Sequence, residues 1–153
     1  MWQFTTMKII SIFKAPSKSF HDQLLNIVDD KYEVVYLTEL IRNILLEDSD
    51  LSASIRKSIS ESKPIPDEDF SNLIIKKITQ KVEQNYIVVG FPRTLHQLQM
   101  FAKHLKKAMI NYDLIGITME IEVEDAIKKW YGKNGKLIEL KDFNSLAKYL
   151  NKN

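Results

Sequence analysis

The chain has 153 residues, of which 44% are hydrophobic and 27% charged, with a formal net charge of +2 and no cysteine. That length suits one globular domain with a real core, and the small charge gives no electrostatic footprint for a nucleic-acid partner. Disulfides and thiolate metal sites are excluded, no apolar run approaches a membrane span, and the cytosol is the expected compartment.

The first seven residues, MWQFTTM, lack the basic start and long apolar stretch of a signal peptide, and Met7, directly before the first strand, is an alternative start. Residues 8–13 (KIISIF) are β-branched and apolar, as in a buried strand. A polar loop at 14–19 leads into a helix over about 20–28, with Leu24, Leu25 and Val28 on its apolar stripe. A second strand is expected at 33–37, then Thr38 as N-cap of a helix over 39–46 whose Leu40, Ile41, Ile44 and Leu45 face inward. Helical spacing returns over 51–60 through Leu51, Ile55 and Ile59. Pro64 and Pro66 break it, and Asp67 opens another helix to about Val82.

A third strand at 86–89 precedes a helix from Leu95 to about Met109, on which Lys103, Lys106 and Lys107 form a solvated positive face. A strand at 114–121, a helix over 123–131, a short strand at 137–140 and a helix over 143–150 follow. Strands alternating with helices predict a three-layer α/β/α fold with a five-stranded parallel sheet. Residues 1–153 read as one domain, with a helical insertion at about 38–83 between the second and third strands.

The densest motif is residues 86–97, YIVVGFPRTLHQ. A buried strand runs into Gly90, then a Phe-Pro-Arg turn, then a helical pattern, and open α/β sheets place their ligands in the crevice at such strand ends. Arg93 is delivered there, with Gln97 one helical turn later on the same face. An arginine fork beside an amide suits a phosphate and a base edge. His21, His96 and His104 share no metal-ligand spacing, and His96 reads as a solvated helix residue. Trp2, Trp130 and Tyr131 do not make the basic-aromatic pattern of an RNA-binding surface.

Gly-Phe-Pro-Arg-Thr-x-x-Gln at 90–97 resembles the signature of adenylate kinase and related nucleoside monophosphate kinases. Residues 36–42 (YLTELIR) resemble that family's Ser-Thr-Gly-Asp-Met-Leu-Arg, residues 63–68 (KPIPDE) its hinge before the third helix, and residues 8–18 its first strand and phosphate loop. The resemblance implies a P-loop NTPase-like, adenylate kinase-like fold, with the insertion closing over the monophosphate. It implies a monophosphate site of Arg42, Gly90, Arg93, Gln97 and Ile65, with AMP as the first ligand and ATP as the second. On the donor side it points to Ser17, Lys18, Ser19, Lys129 and Lys133, and it makes Lys18 and Arg93 the catalytic residues.

Three departures bear on the reaction. The family loop is Gly-x-Pro-Gly-x-Gly-Lys-Gly-Thr, whereas residues 14–20 (KAPSKSF) hold no glycine and are two residues shorter between proline and lysine. A nest of inward backbone N–H groups needs φ > 0, which only glycine adopts cheaply. The family's aspartate before Gly-Phe-Pro-Arg organises Mg²⁺, and here that position is Val89. Mg²⁺ is therefore expected only if the chain is active. The lid is missing near 132–136, and Trp130 and Tyr131 are expected to cover the sheet edge where it would have started. The reading is a nucleotide-binding protein with a monophosphate site and weak or lost phosphoryl transfer. An active kinase with a non-standard donor site and a scaffold on the same fold stay open beside it, and no protein partner is identified.

Overall fold

The computed structural model describes residues 6–15, 17–81, 84–119 and 121–152; Trp2, Pro16 and the expected helix end at Val82 lie outside them. Five parallel strands, β1 (Met7–Phe13), β2 (Tyr32–Val35), β3 (Asn85–Val89), β4 (Tyr112–Met119) and β5 (Lys136–Leu140), form one sheet in the order β2-β3-β1-β4-β5. Among the described residues seven helices connect and flank them: α1 (Lys18–Ile27), α2 (Leu37–Ile44), α3 (Asp50–Ser60), α4 (Asp67–Ile78), α5 (Leu95–Lys107), α6 (Asp125–Asn134) and α7 (Phe143–Lys152). Each strand returns through at least one helix, which is why every pairing is parallel. This is the expected three-layer α/β/α, adenylate kinase-like architecture.

The sheet is apolar on both faces because helices cover both. Ile10, Ile12, Ile87 and Ile117 pack toward Phe20 and Leu24 of α1 and Leu146 and Leu150 of α7. Their neighbours Ile9, Tyr86 and Val88 turn the other way, onto Ile74 and Ile78 of α4 and Phe101 and Leu105 of α5. Burying each such side chain contributes roughly 1.5–3 kcal/mol. A third cluster joins Phe13, Leu98, Val123, Ile127 and Tyr131 beneath α5 and α6. Among the described residues, no helix is long and apolar enough to cross a membrane.

The insertion α2–α4 has its own small core of Ile44, Ile55 and Leu73. Ser49 caps α3 by accepting the Ser52 N–H at 3.1 Å, and Arg56 Nη2 donates to the Leu45 and Glu47 carbonyls at 2.6 and 3.0 Å. Lys77 of α4 pairs with Glu33 of β2 at 3.3 Å, tying the insertion to the sheet.

Several expectations are corrected. Thr38 is not an N-cap: α2 starts at Leu37, whose side chain is buried, and Tyr36 precedes it, stacked on His21 at 4.6 Å. Leu25 and Ile59 lie on exposed sides of their helices, and α3 buries Ser52 and Ser58 beside Ile55 instead. Tyr131 and Trp130 cluster with Leu137 of the edge strand β5, but Tyr131 also reaches under the central strand. It is 1% exposed, meets Phe13 edge-on at 5.9 Å, and hydrogen-bonds Ser11 of the central strand. Gly116 makes room for it, since a Cβ there would lie 3.1 Å from Tyr131 Cζ and 2.8 Å from Leu137 Cδ1.

Residues 132–136 comprise the last turn of α6, Gly135 and the first residue of β5. A Cβ at Gly135 would come within 2.3 Å of the Leu114 carbonyl oxygen, so this connection is pressed against β4.

Candidate functional site

A crevice of about 350 Å³ opens at the carboxyl ends of β1, β3 and β4, the switch point of the sheet. Lys14 and Ala15 line it from β1, Gly90, Pro92 and Arg93 from β3, and Glu122, Val123 and Glu124 from the segment after β4. The N-termini of α1, α5 and α6 follow those strands, so helix dipoles add positive potential at that end of the sheet.

The β3 side is tightly built. Gly90 has φ 82, a conformation that favours glycine, and its N–H donates to the Ile12 carbonyl at 3.1 Å, joining the ends of β3 and β1. The Phe91–Pro92 peptide is cis, and Phe91 is buried edge-on against Phe101 at 5.5 Å. Arg93 then doubles back, donating from Nε to the Gly90 carbonyl at 3.1 Å. Among the described residues its two Nη groups have no partner, leaving most of the fork for a ligand.

Gln97 is held by the same turn. Its Oε1 accepts the Arg93 backbone N–H at 2.7 Å, while Thr94 Oγ1 accepts the Gln97 N–H at 3.1 Å. This is a capping arrangement, and Thr-x-x-Gln is its sequence signature. In this conformation the glutamine amide orients Arg93. His96 is no merely solvated residue either: its Nδ1 lies 2.5 Å from Asp67 Oδ2 at the start of α4, linking the arginine loop to the insertion.

The β1 side is built otherwise. Ser17 is the N-cap of α1, its Oγ accepting the Phe20 N–H at 3.1 Å. Lys18 is 75% exposed and paired with Asp22 along the helix surface at 3.1 Å. Ser19 is exposed on the same turn, and neither Lys18 nor Ser19 lines the crevice. The cation that does is Lys14, whose Nζ lies 4.9 Å from the Phe20 ring centroid, a cation–π contact. Lys14, Glu122 and Glu124 are the residues that sequence reasoning missed. Their signal was position: the strand-end rule applied to β3 holds equally for β1 and β4.

Other expected residues are dispersed. Arg42 is exposed in the last turn of α2, has no partner among the described residues and is not among the residues that line the crevice. Ile65 packs its side chain on the core of the insertion. Lys129 and Lys133 are exposed on α6, which runs from the crevice toward the start of β5. Lys133 sits roughly 13 Å along that helix from Glu124, next to the glycine pressed on Leu114, and is not at the crevice.

The residues do not fit Mg²⁺ at the position the family uses. Val89 is 6% exposed within the apolar cluster of Ile12, Phe20 and Met119, and it offers no oxygen to a hard cation. Among the described residues no three His, Asp or Glu side chains converge as a metal site.

No family model matches the chain. Curated relatives do. Over 83 residues the chain is 37% identical to an adenylate kinase of Mesomycoplasma hyopneumoniae (strain 7448), covering 51% of this chain and 38% of that protein. It is 31% identical over 124 residues to an adenylate kinase of Campylobacter curvus, covering 80% and 65% of the two chains. An adenylate kinase of Pyrococcus furiosus is 28% identical over 126 residues, covering 81% and 56%. The match thus spans less than two thirds of each of these relatives. Together with the sheet order, these partial matches support homology to adenylate kinases and an adenylate kinase-like nucleotide-binding fold.

Proposed function

We propose that the chain binds a nucleoside monophosphate, AMP first, and that its transfer of a phosphoryl group from ATP is weak or lost. One observation carries this reading: Arg93 lines the crevice with its Nε anchored to the Gly90 carbonyl and its Nη groups free. A planar, permanently charged fork fixed at its root is preorganised for phosphate oxygens. Gln97 holds the Arg93 backbone, and Lys14 adds a point charge to the crevice.

The donor side supports little chemistry. Phosphoryl transfer depends on positioning and on charge neutralisation around the moving group. Mg²⁺, when bound, would bridge and neutralise the phosphates, but Val89 cannot hold it. The α6–β5 connection supplies no cover against water, and Lys129 and Lys133 point charges replace no bidentate fork. Loss of one preorganised charge-stabilising group commonly costs about a hundredfold in rate.

Lys14 favours one further reading, an active monophosphate kinase that uses this lysine at a non-standard donor site. A coupled assay of ADP formation from ATP and AMP with Mg²⁺ decides between them. We expect turnover below about 0.01 s⁻¹; a rate at or above roughly 1 s⁻¹, ordinary for kinases, would replace the binding-protein reading with the kinase.

A further inference from the structure

We propose that Glu122 and Glu124 are specificity-determining residues that select against polyphosphates in the crevice. The inference rests on the monophosphate reading and deepens it. Both carboxylates come from the short segment between β4 and α6, line the crevice opposite Lys14 and Arg93, and are exposed. Among the described residues neither is in an ion pair, so their charge faces the crevice uncompensated.

The result is a polarised cleft, with cations on the β1 and β3 walls and carboxylates on the β4 wall. A single phosphate can sit against Lys14 and Arg93, while hydroxyl donors of a sugar are acceptable partners for carboxylate oxygens. A triphosphate brings roughly two further negative charges into a volume of about 350 Å³, where they must approach the carboxylates. Like charges brought together at a protein surface, inside a Debye length, repel strongly enough to change affinity by an order of magnitude. This selection is separate from the missing glycines of the β1 loop. Loop geometry decides how a phosphate is wrapped, whereas these carboxylates decide how much negative charge is admitted.

The test is calorimetric titration of AMP and of ATP, without divalent cations, into wild type and the Glu122→Gln/Glu124→Gln double variant. Glutamine preserves size and an acceptor oxygen while removing both charges, and the exposed positions leave folding intact. A control, Asp113→Asn/Glu61→Gln, removes the same charge at exposed sites outside the crevice. We expect ATP affinity, and with it the ratio of ATP to AMP affinity, to rise at least tenfold in the crevice variant, and the control to match wild type. ATP affinity that stays unchanged or undetectable in the crevice variant overturns the proposal, as does an equal gain in the control. Failure of AMP to bind wild type would sink the monophosphate reading itself, which is a separate result from the ATP comparison.

Discussion

The ends of β1 and β3 perform the same manoeuvre, a buried parallel strand emptying through a short turn into a helix, yet they are built for different work. At β3, Gly90 takes a left-handed conformation, Arg93 folds back on its carbonyl, and Gln97 and Thr94 secure the turn. Polar groups there are used to hold a cation whose charged end stays free. At β1, Ser17 caps the helix and Lys18 pairs with Asp22 on the surface, so both polar groups serve α1 itself. One turn is organised around a crevice-facing charge, and the other around its own helix. Glycine makes the difference: among the described residues of the β1 loop none has φ > 0, the conformation that lets successive N–H groups turn inward together.

Removing the charged end from the ordered turn should give the largest effect. Arg93→Ala is expected to weaken AMP binding about a hundredfold, near 2.7 kcal/mol, which is the scale of charge-assisted hydrogen bonds. Thermal stability should barely move, since the guanidinium is exposed. Unaltered AMP affinity would erase the contrast between the two turns.

A second experiment asks whether the β1 side is loosely folded or simply unsuited to phosphate. Tyr131 hydrogen-bonds Ser11 under β1, and burial pushes its phenol up from 10.0 to about 12. The folded protein therefore keeps this proton where the unfolded chain loses it. The associated stability is fully present below pH 10 and is lost as pH rises from 10 through 12, on the order of 2 kcal/mol. Chemical denaturation across that range should show the decline, and Tyr131→Phe should reduce it, leaving the part due to Tyr112, also raised to about 12 by burial, and to Tyr32, Tyr86 and Tyr149, which burial also raises. An identical decline in the variant would mean that β1 lacks this support.

The smallest effect belongs to Lys18→Ala. An exposed i,i+4 ion pair contributes at most a few tenths of a kcal/mol, so stability should stay within about 0.5 kcal/mol and nucleotide affinity within twofold. A larger loss of ATP or AMP affinity would return Lys18 to the site.

Much of the fold was legible because alternating helix and strand patterns leave few topologies. The twelve elements lie where their periodicity put them, with ends shifted by a few residues, as at α2, where Leu37 joins the buried set and displaces Thr38 as the start. Gly90 and Arg93 were legible too, because the strand end and glycine are local signals. Gln97 was legible as a motif position, though its capping role needed the turn itself.

Arg42, Lys129 and Lys133 were placed by resemblance alone, and charge on an amphipathic helix carries no information about which wall it will reach. Local chemistry thus determined by itself the layered architecture, the ordered arginine turn and the hydrocarbon at Val89. Only the tertiary structure decided that Lys14 rather than Lys18 reaches the crevice, that Tyr131 props the central strand, and that Glu122 and Glu124 face Arg93 across the cleft. The reason is physical: parallel neighbours β3, β1 and β4 are far apart in the chain, and the charges at their ends meet only when the sheet sets them side by side.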